Sequence, residues 1–363
     1  MSAAGTTAVQ WRFLLVLLLP AGLLQAAAAL AGGAPPWQAW LPLLAIHLAV
    51  PLLDALVGTD GRTPRAGRPH PLNRWLPVAC LPAWLLALGA AAALSPVLAG
   101  WAWWGLAAST GAAGGIVAIN VAHELVHRAS RLERSVGGWL LATVGYGAFK
   151  VEHVRGHHLR VATADDPATA RIGESLWRFV PRSVVGTLGH AWRLESARVA
   201  ARHPGRGSRA ALARLLHHET AGWIAASLAL AAAAGLAWGT ASVGFLAVVA
   251  TIAVFELEAV NYIEHYGLRR ARAPDGRWEP VDHRHSWNAD TTVVNAFLLN
   301  LQRHSDHHAH GGRPYTALAS DPRAPQLPAG YGAMVLLALV PPLWRAVMDP
   351  RVARYVASAG TPA

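Results

Sequence analysis

Six stretches of this 363-residue chain stay apolar for the width of a lipid bilayer, and nothing else in it constrains the fold as much. They cover residues 13–31, 37–58, 75–94, 97–122, 222–238 and 241–263. A helix needs about 17–25 such residues to cross the hydrocarbon core. Only 14% of the chain is charged, where a soluble domain carries about 25%. The expected fold class is all-α integral membrane, with six transmembrane helices and a cytoplasmic helical cap.

The connectors assign sides. Arg12 precedes the first run, RTPRAGR joins the second to the third, and residues 128–219 are studded with arginine. The remaining turns, GGAPP, SP and GT, are short and uncharged. The positive-inside rule then puts both termini and every arginine-rich connector in the cytoplasm, which fits a bacterial inner membrane. The first run mimics a secretory signal, but it exceeds the usual apolar core of about 7–15 residues and is expected to remain as a helix. The expected organisation is four helices in 1–122, a cytoplasmic segment 123–219, two helices in 220–263 and a cytoplasmic segment 264–363. The net charge of +11 is explained by arginines beside membrane spans, so nucleic acid is not an expected partner.

Histidine is where the chemistry lies. HELVH (His123, His127), EHVRGHH (His153, His157, His158), IEHYG (His265) and QRHSDHH (His304, His307, His308) hold nine of the 18 histidines. On the topology above all four clusters face one side of the membrane. His123 and His127 are spaced i, i+4 and share a helix face. His153 and His157 repeat that spacing, with His158 turned about 100° away toward a second metal. His304, His307 and His308 give i, i+3 and i+4. Nine imidazoles are too many for one tetrahedral site and suit two metals of four or five ligands each. Imidazole binds Fe, Zn, Cu and Ni alike, so the ligand type does not choose among them.

The other nine histidines have ordinary readings. His47 is expected to be an interior or channel-lining residue, and His70, His190, His203, His217 and His218 surface residues. His283, His285 and His310 flank the clusters. Metal-bound histidine usually gives its second N–H to an acceptor, often a carboxylate. Glu124, Glu152, Glu264 and Asp306 lie within two residues of a cluster histidine. Glu258 stands two turns before His265 inside an apolar run, where an acid is costly. Asp166, beside Asp165, can brace the second cluster, and Asp54 ends the second run. Glu258, Asp166 and Glu124 are the candidate supporting residues of the catalytic site.

Rival classes account for less of the pattern. HELVH matches the HExxH of zinc proteases, but an intramembrane zinc protease leaves the other clusters unexplained. A membrane metal transporter would place its ligands near the bilayer midplane in broken helices, whereas these follow helix ends. The one cysteine, Cys80, excludes an intrachain disulfide and a cysteine-ligated iron site in this polypeptide. No GxGxxG occurs in a strand–turn–helix context, and GAAGG near Gly111 is expected to serve close helix packing.

HELVHR, EHVRGHHLRVATADDPATAR, NYIEHYGL and LQRHSDHHAH together resemble the membrane alkane 1-monooxygenases. GESLWRFVPRS, PDGRWEP, HSWN and PLLDALVG extend the resemblance over roughly residues 51–350. It implies that the nine cluster histidines ligate two Fe ions, with O2 as co-substrate and no flavin or haem in the chain. It also implies terminal hydroxylation of alkanes to primary alcohols, with electrons from rubredoxin and an NADH-dependent rubredoxin reductase. Many of these enzymes have Gly and Lys around the second histidine, where this chain has Val126 and Arg128. Methyl hydroxylases of alkyl-aromatics, of the xylene and cymene type, look similar and remain an alternative. Membrane desaturases share the histidine plan more distantly. A hydrocarbon needs no charged recognition and is expected to enter from lipid, with Trp40, Trp84, Trp103 and Trp104 as candidate channel residues.

Overall fold

The computed structural model describes residues 6–62, 64, 67–205 and 207–359. Thr63, Arg65 and Ala66 of the RTPRAGR connector lie outside the described residues, as do 360–363 at the end of the expected C-terminal segment. Helices dominate, and among the described residues pairing between extended segments is limited to isolated bridges such as Thr59 with Thr291.

Six helices are long and apolar enough to cross a membrane: Trp11–Ala31, Pro36–Val57, Pro71–Val97, Gly100–Val126, Glu219–Trp238 and Thr240–His265. The protein is a multi-pass membrane protein with the expected number of spans. One boundary moves. Val97, expected to open the fourth span, instead closes the third in a 3-10 turn over Ser95–Val97. The fourth starts at Gly100, whose φ of +53° suits only glycine well.

The fourth span is the axis of the bundle. Its most apolar window is 83% buried, against 11% for the second and fifth spans, whose sides face lipid. Lipid tails are as apolar as leucine, so helices in a membrane associate by close packing and not by a hydrophobic drive. The small residues of GAAGG supply that packing, as the sequence leads one to expect. A Cβ on Gly111 would lie 2.5 Å from the Cβ of Ile252 on the sixth span.

Outside the spans, helices Arg131–Thr143 and Leu176–Arg202 cover the histidine-bearing end. The second buries Leu176, Phe179, Ser183, Thr187, Ala191, Glu195 and Val199, a stripe at intervals of three and four residues. Such a stripe is one face of a helix laid on a core. It is clamped by Arg155, which bonds Glu195 at 2.7 Å and Glu219 at 2.9 Å. Lys150 holds the other oxygen of Glu219 at 2.9 Å.

Gly111→Val forces the fourth and sixth spans apart, and overpacking of this kind costs about 1–3 kcal/mol. The expected outcome is a lower unfolding temperature in detergent, with Gly111→Ala intermediate; an unchanged temperature for the valine variant would show that the contact is not a packing constraint.

Candidate metal centre

The nine cluster histidines come together at one end of the bundle. They form two groups, His123, His127, His153, His158 and His307, and His157, His265, His304 and His308. Within each group one ligand atom per residue lies within 4.8 Å of all the others. The groups abut, with the rings of His158 and His308 stacked at 4.4 Å.

Their Nε2 atoms point at one another. His153 and His307 each approach His158 Nε2 at 3.1 Å. His157 lies 3.2 Å from His308, His308 2.9 Å from His304, and His304 3.3 Å from His265. Neighbouring nitrogens about 2.1 Å from a shared metal stand roughly 3.0–3.4 Å apart. The Nε2 atoms of His123 and His127 are buried without any hydrogen-bond partner, a cost that a metal ion removes. The residues fit a metal, and each of the two groups could hold an ion.

The partition of the second cluster differs from the helical spacing. His153 pairs with His158, and His157 joins the other group. Residues His153–His157 form a π-helical turn, in which the N–H of His158 donates to the carbonyl of His153. A π turn closes i to i+5 and not i to i+4, so the rings five apart align. His123 with His127 and His304 with His308 keep the α-helical spacing, while His307 crosses to the first group.

Supporting contacts sort the carboxylates. Asp166 Oδ2 receives the Nδ1–H of His157 at 3.0 Å and the Thr169 hydroxyl at 2.6 Å, so it contacts a cluster histidine. Glu124 does not. It accepts the Tyr315 N–H at 3.1 Å and pairs with Arg128 on the next turn. Glu258 also turns away from the histidines, taking the Tyr146 hydroxyl at 2.7 Å and Asn261 at 3.3 Å. Asp306 faces Arg313, His310 and the N–H of Ala319. Glu264 is the one that reaches in, with Oε2 3.2 Å from His304 Nε2 and Oε1 unpartnered. Only its adjacency to His265 marked it in the sequence.

Other expectations are corrected by burial. Glu152 holds His190 at 3.0 Å, and His218 is buried, bonded to Ser196 at 3.1 Å and accepting the N–H of Ala221. Neither His190 nor His218 is a simple surface residue. His285 meets His265 through its backbone carbonyl, 3.4 Å from Nδ1. Asp54 neither pairs with arginine nor braces a histidine. Its carboxylate accepts from Val293 N–H at 2.7 Å, Val294 N–H and the Thr291 hydroxyl at 2.6 Å. It thereby pins the second span to the start of a helix leading into the fourth cluster. Buried Arg303, bonded to Asp290 at 2.8 Å and Asp60 at 3.1 Å, fixes the residue next to His304.

Two small cavities of about 70 and 50 Å3 lie among the spans, and the second is lined in part by His123, His153 and His304. Aliphatic side chains such as Ile116, Val260 and Leu298 line both. Trp84 instead donates to Thr143 at 2.8 Å, and Trp40 stacks on Trp101 with ring centroids 4.3 Å apart. Of the candidate channel tryptophans, none lines these two cavities.

Residues 99–335 match the fatty acid desaturase family model. The chain is 42% identical over 333 residues to alkane 1-monooxygenase 1 of Pseudomonas aeruginosa, covering 89% of this chain and 85% of that one. The chain belongs to the alkane 1-monooxygenase family. Alkane 1-monooxygenase 2 of Alcanivorax borkumensis is 40% identical, with the same coverage of 89% and 85%. The hydroxylase component of xylene/toluene monooxygenase from Pseudomonas putida is further off, 30% identical over 64% of this chain and 60% of that one. Members of this family are oxidoreductases, and the chain is an enzyme of that class. A monooxygenase draws electrons from outside its own site, so an electron-transfer partner follows from membership.

Electrostatics keep the imidazoles available. Burial pushes His127 down to about 4, helped by repulsion from His157. Burial, then neighbouring imidazoles, holds His153, His158, His304, His307 and His308 well below the ordinary value. For His157 burial lowers, but Asp166, Glu152 and Glu258 together outweigh it and the net shift is upward. Burial raises Glu152. Six groups with lowered values stand against these two. Between the ordinary 6.5 and about 4 the unfolded chain takes up protons that the folded centre refuses. The part of the metal-free protein's stability that depends on the six lowered imidazoles therefore falls as the pH drops from 6.5 toward 4. Denaturant midpoints across that range check the sign, and a midpoint that rises on acidification would contradict it.

Proposed function

We propose that this enzyme hydroxylates the terminal methyl group of alkanes, giving primary alcohols, at a pair of iron ions held by the nine cluster histidines. The observation that carries the reading is the convergence of buried Nε2 atoms at the mouth of an apolar cavity. The irons, when bound, would supply the reduction of O2 and the oxidising power that no side chain provides. The group of five histidines would hold one and the group of four the other.

The chain's own residues do the rest. Asp166 accepts the Nδ1–H of His157, which fixes the tautomer and turns the Nε2 lone pair inward. Ile116, Leu257, Val260, Leu298 and Leu301 wall the cavity that meets the histidines. They would bind a hydrocarbon by apolar contact and keep water from the reacting carbon. The carboxylate of Glu264 faces both that cavity and His304, where it can hold a proton at Oε1.

Electrons would enter beside His127 and His158, the two cluster histidines that are only half-buried. We assign rubredoxin as the donor, served by an NADH-dependent reductase. An acidic protein is drawn to a basic surface, and Arg131, Arg134 and Arg202 line a hollow near that side together with Lys150, Arg155 and Arg198, which pair with Glu195 and Glu219. The positive-inside rule makes this the cytoplasmic face of a bacterial inner membrane, with both termini inside. Segments 123–219 and 264–363 then form the cytoplasmic cap over spans in 1–122 and 220–263.

Membranes given rubredoxin, reductase and NADH are expected to convert octane or hexadecane to the 1-alcohol, with about two irons per purified chain. Xylene is the control for the alkyl-aromatic reading, favoured by the relationship to the xylene/toluene hydroxylase component. Absence of oxygenated product from the alkanes would overturn the proposal. Asp166→Asn is expected to lose iron affinity or activity by about 10–100-fold, measured by iron retention during chelator dialysis and by turnover. Full retention of both would remove Asp166 from its bracing role.

A further inference from the structure

His47 and Glu256, both half-buried, face each other in the wall of an apolar cavity, with Nε2 3.1 Å from Oε1. His47 stands on the second span and Glu256 on the sixth. A titratable pair there is costly, and such residues commonly mark a functional passage. Its position is specific. The two cavities share four lining residues, Ile116, Glu256, Val260 and Leu298. The first cavity also touches His47, and the second continues to His123, His153 and His304. Glu256, with Ile116, Val260 and Leu298, therefore stands in the wall between the first cavity and the one that meets the histidines.

The backbone around the pair is adapted to it. His47 lies in a π-helical turn over Ala45–Ala49. The fourth span has another over Gly115–Asn120, and its first residue faces Glu256. A Cβ on Gly115 would lie 2.7 Å from the Cβ of Glu256. Single π turns inside α-helices tend to occur at functional sites. Here two of them, on separate spans, flank one carboxylate.

We propose that the His47–Glu256 pair is a polar gate across the hydrocarbon passage, setting how long a chain the centre accepts; this rests on the hydrocarbon hydroxylation proposed above. A chain lying with its methyl at the histidines gains from each methylene placed against Ile116, Val260 and Leu298. A longer chain must also pass the His47–Glu256 pair, which returns nothing to an apolar group and must be parted to admit it.

The double variant His47→Leu/Glu256→Leu removes both partners together, so no unpaired charge is left buried. Its hexadecane-to-octane ratio of kcat/KM is expected to rise about tenfold, with iron content unchanged. An unchanged ratio overturns the gate. Glu256→Gln, uncharged and of similar size, repeats the test should the double variant fail to assemble. Its ratio is expected to rise by about threefold, and no rise overturns the gate equally. A binding readout separates this proposal from the reaction on which it rests. Octane should raise the unfolding temperature of the purified wild type more than hexadecane does, and the double variant should lose that preference. A wild type that makes no alcohol defeats the reaction, yet the same pattern of stabilisation in both proteins still decides against the gate.

Discussion

Imidazole lone pairs aimed at one another in a dry interior are the constraint on which this protein's architecture depends. Nε2 atoms 2.9–3.3 Å apart across His265, His304, His308 and His157 repel unless a cation lies among them. Holding them there requires stiff supports from several directions. Asp166 supplies one by bracing His157. Arg303, buried between Asp290 and Asp60, supplies another beside His304. Asp54 gives a third, tying the second span to the segment that leads into the last cluster.

The membrane spans carry the site as well as anchoring it. The fourth span runs through the middle of the bundle and delivers His123 within its last turns, and the sixth ends on His265. Close contact between those two spans, at Gly111 against Ile252, sets the separation between the two ligand-bearing ends. The same small residues leave room lower in the bundle for cavities with aliphatic walls. Close packing and an apolar cavity wall thus come from one run of sequence, Gly111 serving the first and Gly115 the second.

Much of this was legible in the residues, and the gaps have identifiable causes. Apolar length revealed the six spans, because the backbone in lipid has few alternatives to a helix. The nine histidines were marked by type and by helical spacing, and the fold brings all nine together. The partner of each ring was not legible where the backbone left the α-helix. The π turn at His153–His157 moved His158 onto His153 and sent His157 to the other group. Carboxylates were harder still. Asp166, Glu124 and Glu258 looked alike as acids near the clusters, yet only Asp166 touches a cluster histidine. Glu264, which approaches His304, was one of several adjacent acids.

The sequence by itself determined an all-helical membrane protein and the identity of nine clustered histidines, since apolar run length and residue type are local properties. Only the tertiary structure decided how the nine divide into five and four, which acid braces them, and that His47 and Glu256 meet beside an apolar cavity. Those depend on side chains from spans and loops far apart in the chain meeting at a few ångströms. Nothing in the local pattern around His47 and Glu256, 209 residues apart by their numbers, foretells that meeting.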